Sequence, residues 1–320
     1  MKRLLCSALA AAVLFAMLPL QAGAAELLIP VGKIIGLQLR NDTVTVAAYD
    51  DAFGHTARNA GLKIGDEIIK IDGAEVTCAE DIRAALGEDA VELTVRRGVK
   101  LDTVTLTPAR TDNGPRLGVY LRQGIAGIGT VTYYDPDTGE FGALGHGVNN
   151  SRGQILTMTS GSAYQGRVQS VTRGKVGAPG QLKGAAASHI PVAELSRNTP
   201  QGIFGKTAIG WLGKPVPVGA FEDVKTGAAI IRSTVNGEEP QEYSVEILKI
   251  YPKDRKDNRN FLIRVTDPEL LKTTGGIVQG MSGSPIIQDG KLIGAVTHVL
   301  VNDPTTGYGI FIENMLDAAA

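Results

Sequence analysis

The chain has 320 residues with 33 acidic and 32 basic side chains, so its formal net charge is −1 at pH 7. Proteins that bind nucleic acids normally carry a basic domain or stripe, and this balance argues against that class. Glycine contributes 40 residues, about one in eight, against a usual share of roughly 7%. Ordinary apolar content and the lack of a Gly-X-Y period exclude collagen and wholesale disorder, and the length predicts one large domain or two ordinary ones.

The N-terminus has the pattern of an export signal. Two basic residues precede an uncharged apolar run over residues 4–20, and small residues follow up to Ala24. This order predicts a signal peptide of residues 1–24 and secretion across the cytoplasmic membrane. An uncleaved membrane anchor is the alternative, because the run is close to the roughly 17 residues that span a bilayer. Cleavage would remove Cys6 and leave Cys78 alone, so the exported chain would fold without an internal disulfide.

The first region after the signal, residues 26–110, consists of short β-type runs with one helix. Strands are predicted over residues 34–39 and 44–47, with Asn41-Asp42 as the turn between them. A closing hairpin is predicted near the end of the region, with its turn at Arg97-Gly98.

One string within this region is specific. Residues 61–73 read Gly-Leu-Lys-Ile-Gly-Asp-Glu-Ile-Ile-Lys-Ile-Asp-Gly, and a helix is predicted from an N-cap at Thr77, with Glu80 completing a capping box, to Gly87. The combination resembles a PDZ domain. That resemblance implies a groove that takes a peptide or C-terminus by β-augmentation, the backbone receiving it at Ile35, Gly36 and Leu37. The alternative is that Gly36 serves only a tight turn.

The second region, residues 114–320, is rich in glycine and in alternating β-type runs. Such runs occur at residues 129–134, 243–248 and 261–265, and helical patterns are scarce. This pattern predicts an antiparallel sandwich or a pair of barrels. No P-loop or dinucleotide fingerprint is present, and we expect neither a cofactor nor a metal centre.

A serine between glycines is the first candidate for chemistry. In the string Gly280-Met281-Ser282-Gly283-Ser284-Pro285, the glycines allow a tight turn, as in trypsin-like proteases. The N–H groups of Gly280 and Ser282 could then form an oxyanion hole, with Ser282 as the nucleophile. Ser284 is the rival nucleophile, and a Gly/Ser turn without chemistry is the alternative.

A histidine is the second candidate, because a serine hydroxyl is a poor nucleophile until an imidazole accepts its proton. His146 follows a short apolar run and lies between two glycines. His298 ends a strand after the serine and is expected to be a packing or hydrogen-bonded residue. His189 is expected in a turn, and His55 in a surface loop without a role.

Asp267 is the third candidate. It follows an apolar strand and precedes Pro268, so its carboxylate could hold the imidazole in the right tautomer. The same Asp-Pro pair is typical of a helix start, and the alternative is an N-cap for a short helical turn.

Taken together, these motifs resemble the stage IV sporulation protein B family of serine peptidases. The resemblance rests on the module that precedes the peptidase region, on Gly-Ala-Leu-Gly-His-Gly at 142–147, and on Gly-Gly-Ile-Val-Gln-Gly-Met-Ser-Gly-Ser-Pro-Ile at 275–286. It implies a mainly β protein in which a PDZ domain (α+β) precedes a trypsin-like double β-barrel. His146 would be the general base, Ser282 the nucleophile and Asp267 the orienting acid, with Asp303 in reserve.

The same resemblance implies a biological setting. Family members act in the space between the two membranes of the developing spore, where they cleave a membrane-associated regulatory protein and themselves. That cleavage activates an intramembrane protease and releases a late sigma factor. A quality-control protease of the HtrA type is the alternative enzyme, although those proteases carry PDZ modules after the peptidase. A catalytically inactive PDZ scaffold is the non-enzymatic alternative, against which His146 and Ser282 both argue.

Overall fold

The structure is a computed structural model that describes residues 26–150 and 152–320. The predicted signal peptide, residues 1–24, lies outside the described residues. Among the helices of the described part, none has the length and apolar character needed to cross a bilayer.

Antiparallel strands dominate the described chain. The strands are β1 (Leu27–Pro30), β2 (Ile34–Tyr49), β3 (Glu67–Ile71), β4 (Ala74–Glu75), β5 (Val91–Arg97), β6 (Lys100–Leu106), β7 (Val119–Tyr134), β8 (Glu140–Ala143), β9 (Ser160–Thr172), β10 (Gln181–Thr199), β11 (Gly202–Lys206), β12 (Val216–Pro217), β13 (Gly227–Ser233), β14 (Gln241–Ile250), β15 (Phe261–Val265), β16 (Pro285–Gln288), β17 (Lys291–Leu300) and β18 (Asp303–Phe311). The helices are α1 (Gly54–Asn59), α2 (Ala79–Ala85), α3 (Pro268–Thr274) and α4 (Ile312–Ala319).

Six strands close the first barrel, in the order β2-β7-β8-β11-β10-β9 and back to β2. Every pairing in this ring is antiparallel. Alternate residues point inward, so β2 contributes three almost fully buried apolar side chains, at positions 35, 37 and 39. Closing this ring requires the first half of β2, which lies before residue 41. The first barrel therefore begins within residues 26–110, the region predicted to be a separate first domain.

The second barrel is closed by β13, β14, β15, β18, β17 and β16. Its strands alternate in burial, and β14 buries Tyr243, Val245 and Ile247 at 5%, 2% and 1% exposure while the intervening side chains are more open. Two closed six-stranded rings confirm the predicted mainly β, double-barrel fold. The predicted runs at 129–134, 243–248 and 261–265 lie in β7, β14 and β15.

A small module is inserted into the first barrel. Strands β2 and β7 are both 16 residues long, and their outer halves continue past the barrel, paired through Val44↔Gln123 to Tyr49↔Val119. Between them lie β3 to β6, α1 and α2, with a separate apolar core. The predicted domains, 26–110 and 114–320, do not match this division of the chain, because β1 pairs with β7 and the first half of β2 is a wall of the first barrel. The predicted turn at Asn41-Asp42 is a register shift within one continuous strand.

The predicted peptide groove at Ile35, Gly36 and Leu37 is also wrong. These residues pair with β7 on one side and with β9 on the other, so their backbone has no open edge for a peptide. Ile35 and Leu37 are 1% and 4% exposed in the core of the first barrel. Isolated β-type runs look the same whether one or both of their edges are paired, which is why the sequence misled here.

Local signals in the module agree more closely with the structure. The turn after β3 uses Asp72 and Gly73, both with positive φ (48° and 81°), as an Asp-Gly hairpin turn requires. Helix α2 begins one residue later than predicted, with Cys78 as N-cap. The carboxylate of Asp81, rather than that of Glu80, accepts the N–H groups of Thr77 and Cys78, and these bonds lower the pKa of Asp81 to about 2.

Replacing Ile35 with alanine tests whether its side chain packs in the core of the first barrel or lines a peptide groove. The change deletes a fully buried side chain, and we expect Ile35→Ala to lower the free energy of unfolding by about 2–5 kcal/mol, measured by denaturant titration. Val99→Ala is the control, since Val99 is 99% exposed, and it should leave stability unchanged. Unaltered stability in Ile35→Ala would contradict the barrel assignment.

Candidate active site

A cleft of about 450 Å³ between the two barrels contains the predicted nucleophile and base. Ser282 reaches it from the loop before β16, and His146 from the loop after β8. Its other walls are mostly apolar and come from both barrels: Leu37, Leu39, Ile125, Ile128, Leu144, Val148, Ile277, Val278, Val299 and Val301. The structure thus brings together two residues that lie 136 positions apart in the sequence.

Glycines permit the backbone of the nucleophile loop. Gly280 and Gly283 have φ of 99° and 97°, a region that other residues rarely adopt. A Cβ on Gly283 would collide with the carbonyl oxygen of Thr130, so the loop also approaches the first barrel too closely for a side chain. The predicted tight turn is therefore present.

The loop leaves two N–H groups without a partner. Within residues 280–283, Met281 N–H donates to Val278 O (3.1 Å) and Gly283 N–H donates to Val296 O (2.7 Å). The N–H groups of Gly280 and Ser282 donate to no other group in the part of the chain that the structure describes. Both residues line the cleft, as the predicted oxyanion hole requires.

Ser284, the rival nucleophile, has a structural position. Its side chain is fully buried, and its hydroxyl lies 2.7 Å from Met281 O and 2.9 Å from the Ser233 hydroxyl. Ser284 N–H also donates to Met281 O. The C=O of Met281 and the N–H of Ser282 belong to one trans peptide group, so they point in opposite directions. By holding the Met281 carbonyl, Ser284 therefore leaves the N–H of Ser282 available as an oxyanion donor.

The His146 loop is tightly constrained. Leu144 and Gly145, which precede the histidine, both have positive φ (70° and 67°), and this is uncommon for a leucine. A Cβ on Gly147 would lie 2.5 Å from the backbone carbonyl oxygen of Thr199, so this glycine is required for close packing. Asn198 fixes the continuation of the loop, since its amide bonds both N–H and C=O of Val148 (2.9 and 2.8 Å).

Asn198 is a positioning residue that sequence reasoning missed. It lies near the end of β10, and no local pattern separates it from a surface asparagine.

The imidazole of His146 is in the tautomer that a base needs. Its Nδ1 lies 3.0 Å from Gly147 O, and because a carbonyl oxygen can only accept, Nδ1 carries the proton and Nε2 keeps its lone pair. Burial lowers the pKa of His146 below its usual value, while the bond to Gly147 opposes that shift. Ser282 Oγ donates to Thr297 O at 2.8 Å, so rotation of the serine side chain is needed before it can donate to His146.

The structure does not bring Asp267 to His146. The Asp267 Oδ1 atom accepts the N–H groups of Glu269 and Leu270, each at 3.0 Å, so Asp267 is the N-cap of α3. Its carboxylate is absent from the cleft lining, and the reading of Asp267 as the orienting acid is wrong in this conformation. Asp303 accepts from Thr305 and Thr306 at a turn and makes no bond to His146 either.

His298 is a second residue whose place near His146 the sequence did not predict. It lies at the rim of the cleft, with its ring centroid 5.2 Å from that of His146 and the two planes inclined by 39°. The strand pattern that ends at His298 placed it correctly in β17. Only the pairing of the two barrels shows that it faces His146.

A family model described as SpoIVB peptidase S55 matches residues 113–316. Among curated proteins, the chain is 32% identical over 84 residues to a "Putative zinc metalloprotease" of Bartonella henselae, covering 25% of this chain and 23% of that protein. It is 34% identical over 88 residues to a second "Putative zinc metalloprotease", from Agrobacterium fabrum, covering 27% of this chain and 22% of that protein. The chain therefore spans less than a quarter of the length of these relatives.

Among solved structures, the chain is similar to the Rv3671c protease of M. tuberculosis. The active form has a TM-score of 0.38 at 16% identity, covering 61% of this chain and 73% of that one. The inactive form has a TM-score of 0.35 at 16% identity, covering 60% and 84%.

Two replacements of Asp267 distinguish an N-cap from an orienting acid. Asn caps helices as well as Asp does, whereas Ala removes the cap and should cost about 0.5–2 kcal/mol of stability. We expect Asp267→Asn to retain both melting temperature and reactivity towards a fluorophosphonate, and Asp267→Ala to lose stability only. A loss of reactivity near the roughly 10⁴-fold cost of a missing triad carboxylate, in a folded Asp267→Asn protein, would restore the acid role.

Proposed function

The chain belongs to the SpoIVB peptidase S55 family and is a serine peptidase, and we propose that it is an exported endopeptidase that cleaves a regulatory protein and its own N-terminal region. One observation carries the proposal: Ser282, His146 and two unpaired backbone N–H groups share the cleft between the barrels. The family supports the setting, in which cleavage of a membrane-associated regulator activates an intramembrane protease and a late sporulation sigma factor.

The cleft supports the following reaction. His146 Nε2 takes the proton of Ser282 Oγ as the oxygen bonds to the scissile carbonyl carbon, and the Gly280 and Ser282 N–H groups bind the resulting oxyanion. His146 then gives the proton to the leaving amine as the C–N bond breaks. Water, deprotonated by the same imidazole, hydrolyses the acyl-enzyme. Each oxyanion donor contributes about 3–4 kcal/mol to lowering the barrier.

The lining of the cleft favours an apolar substrate side chain beside the scissile bond. Ile277 and Val278 approach from the segment before the serine, and Val299 from β17. The lining residues that we identify near the serine carry no formal charge, so a charged substrate side chain would lose hydration there without gaining an ionic partner.

The inserted module has an open groove, although it is not at the residues that the sequence predicted. The outer half of β7 pairs with β2 along one edge only. Its other edge, at Val119 and Leu121, lies beside α2 across an open groove of about 480 Å³ with Ile82 and Leu86 on the helix side. We propose that a peptide or protein C-terminus adds here as a strand.

Gly118 supports this location for the groove. It has φ of 76°, and a Cβ there would collide with the backbone of Phe53. The turn that leads into the open edge of β7 therefore requires glycine.

Serine replacement tests the enzymatic proposal. Ser282→Ala should abolish fluorophosphonate labelling, casein cleavage and any processing of the chain's own N-terminal region, with an unchanged melting temperature. Ser284→Ala is the matched control, because loss of its buried hydrogen bonds should lower stability while Ser282 remains reactive. Labelling that persists in Ser282→Ala and vanishes in a folded Ser284→Ala protein would exchange the two roles.

Blocking the groove tests the module's role. Leu86→Glu places a charge on the half-buried helix side of the groove, and Leu101→Glu places the same charge on an exposed hairpin. Selection of phage-displayed C-terminal peptides on the whole protein should yield binders that Leu86→Glu weakens at least about tenfold and Leu101→Glu does not. Binders that are insensitive to Leu86→Glu would place peptide recognition elsewhere.

A further inference from the structure

We propose that the loop between β11 and β12, residues 207–215, docks the first barrel on the surface of a lipid bilayer. Two apolar side chains of this loop project into solvent, since Ile209 is 71% exposed and Leu212 is 100% exposed. Trp211 lies between them and is itself partly exposed. Single exposed apolar residues are ordinary on a protein surface, whereas a cluster of large ones at a loop marks a contact site.

The loop is held in a fixed conformation by its tryptophan. The indole of Trp211 packs edge-on against Tyr134 and Phe141, with ring centroids 5.7 and 5.1 Å apart. The N–H of Ile209 donates to the hydroxyl oxygen of Thr207 (3.3 Å), and that hydroxyl donates in turn to a carbonyl of β10 (2.7 Å). The exposed side chains are therefore presented by an ordered loop, which reduces the entropy lost on binding.

The start of the described chain contributes to the same side of the barrel. Gly213 packs against β1, because a Cβ built there would lie 2.5 Å from Cγ2 of Ile29. Side chains two apart on a strand point the same way, so Leu27 points to the side of β1 on which the loop lies. Leu28, between them, packs into a different core cluster from that of Ile29. Leu27 is 52% exposed and extends the apolar surface.

The chain before β1 indicates what covers this surface. The apolar run over residues 4–20 enters a membrane during export, whether it is a signal or an anchor. Only residues 21–26 separate it from Leu27, and even a fully extended link of this length spans at most about 25 Å. In the chain that carries the run, the side of the barrel with Leu27 therefore lies next to the bilayer. This proximity favours lipid over a second copy of the chain.

The charges near the loop indicate how it would bind. Its one charged residue is Lys214, which is exposed and can reach lipid phosphates. Glu26 precedes β1, and burial followed by repulsion from Asp135 raises the pKa of Glu26. Because these two carboxylates oppose attraction to anionic lipids, apolar burial has to drive docking. We expect binding to zwitterionic bilayers, with tryptophan at the interface and a weak dependence on salt.

The test uses Trp211 as a local reporter, since it is the only tryptophan in the sequence. The full chain is mixed with phosphatidylcholine vesicles, or with the same lipid brominated near the carbonyl end of its acyl chains. Bromine quenches indole emission at short range, so insertion of the run over residues 4–20 alone leaves the emission unchanged. A docked loop lies at the boundary of headgroups and acyl chains, and we expect the brominated lipid to reduce emission at least about twofold.

Leu212→Glu should abolish this quenching, because it places a charge on the most exposed apolar position of the loop without disturbing the core. Val99→Glu is the matched control. Val99 is 99% exposed on the β5–β6 hairpin, at the other end of the strand order, so this variant should be quenched like the wild type.

Three results would overturn the proposal. Equal emission in both lipids, from protein that floats with the vesicles, would show that the N-terminal run alone holds the chain there. Quenching that persists in Leu212→Glu would place the contact elsewhere. A shift in emission that depends on protein concentration without lipid, and that Leu212→Glu removes, would show that a second copy covers the loop.

Docking and catalysis are measured separately. The loop does not line the cleft that contains Ser282, so fluorophosphonate labelling of Leu212→Glu should equal that of the wild type. A wild-type protein that is quenched but does not label would overturn the serine-peptidase proposal and support docking.

Discussion

Three hydrogen bonds between the barrels hold the catalytic loop in place. On strand β7, Thr130 N–H donates to Ser282 O (3.1 Å) and the Thr130 hydroxyl donates to Gly280 O (2.8 Å), while the Thr132 hydroxyl donates to Gly283 O (2.8 Å). Both threonine side chains are fully buried, so these bonds do not compete with water. These bonds fix the carbonyl groups of the loop against the first barrel. The two N–H groups of the oxyanion hole belong to peptide groups that other residues hold, so both N–H groups remain free.

The strand that makes these bonds also forms the open edge of the inserted module. Val119 and Thr130 are eleven residues apart on β7, about 36 Å at the rise of an extended strand. Over this length β7 is paired with β2, which restrains it from bending independently. Insertion of the module into the barrel, rather than attachment in front of it, thus places the peptide groove and the nucleophile loop on one structural element.

The sequence was informative where the constraint is local. Gly280 and Gly283 indicate a backbone conformation that only glycine adopts readily, and Asp72-Gly73 indicates a hairpin turn. The alternation of apolar and polar residues locates the strands. Pairing across the molecule left no such signature. The run at residues 34–39 has the same alternation in a peptide groove and in a barrel wall, and only β9, more than 120 residues later, decides between them. Asp267 likewise satisfies the patterns of an N-cap and of a triad acid equally well.

The surroundings of His146 change which interactions must stabilise the transition state. A carboxylate lowers the free energy of the imidazolium by direct charge attraction, whereas the Gly147 carbonyl, to which His146 is bonded here, offers only a dipole. Burial already disfavours the charged imidazole, as the lowered pKa of His146 shows. Proton transfer from Ser282 therefore has to be driven largely by stabilising the oxyanion. A loop so firmly fixed by Thr130, Thr132 and Ser284 is the preorganised arrangement that such a reaction requires.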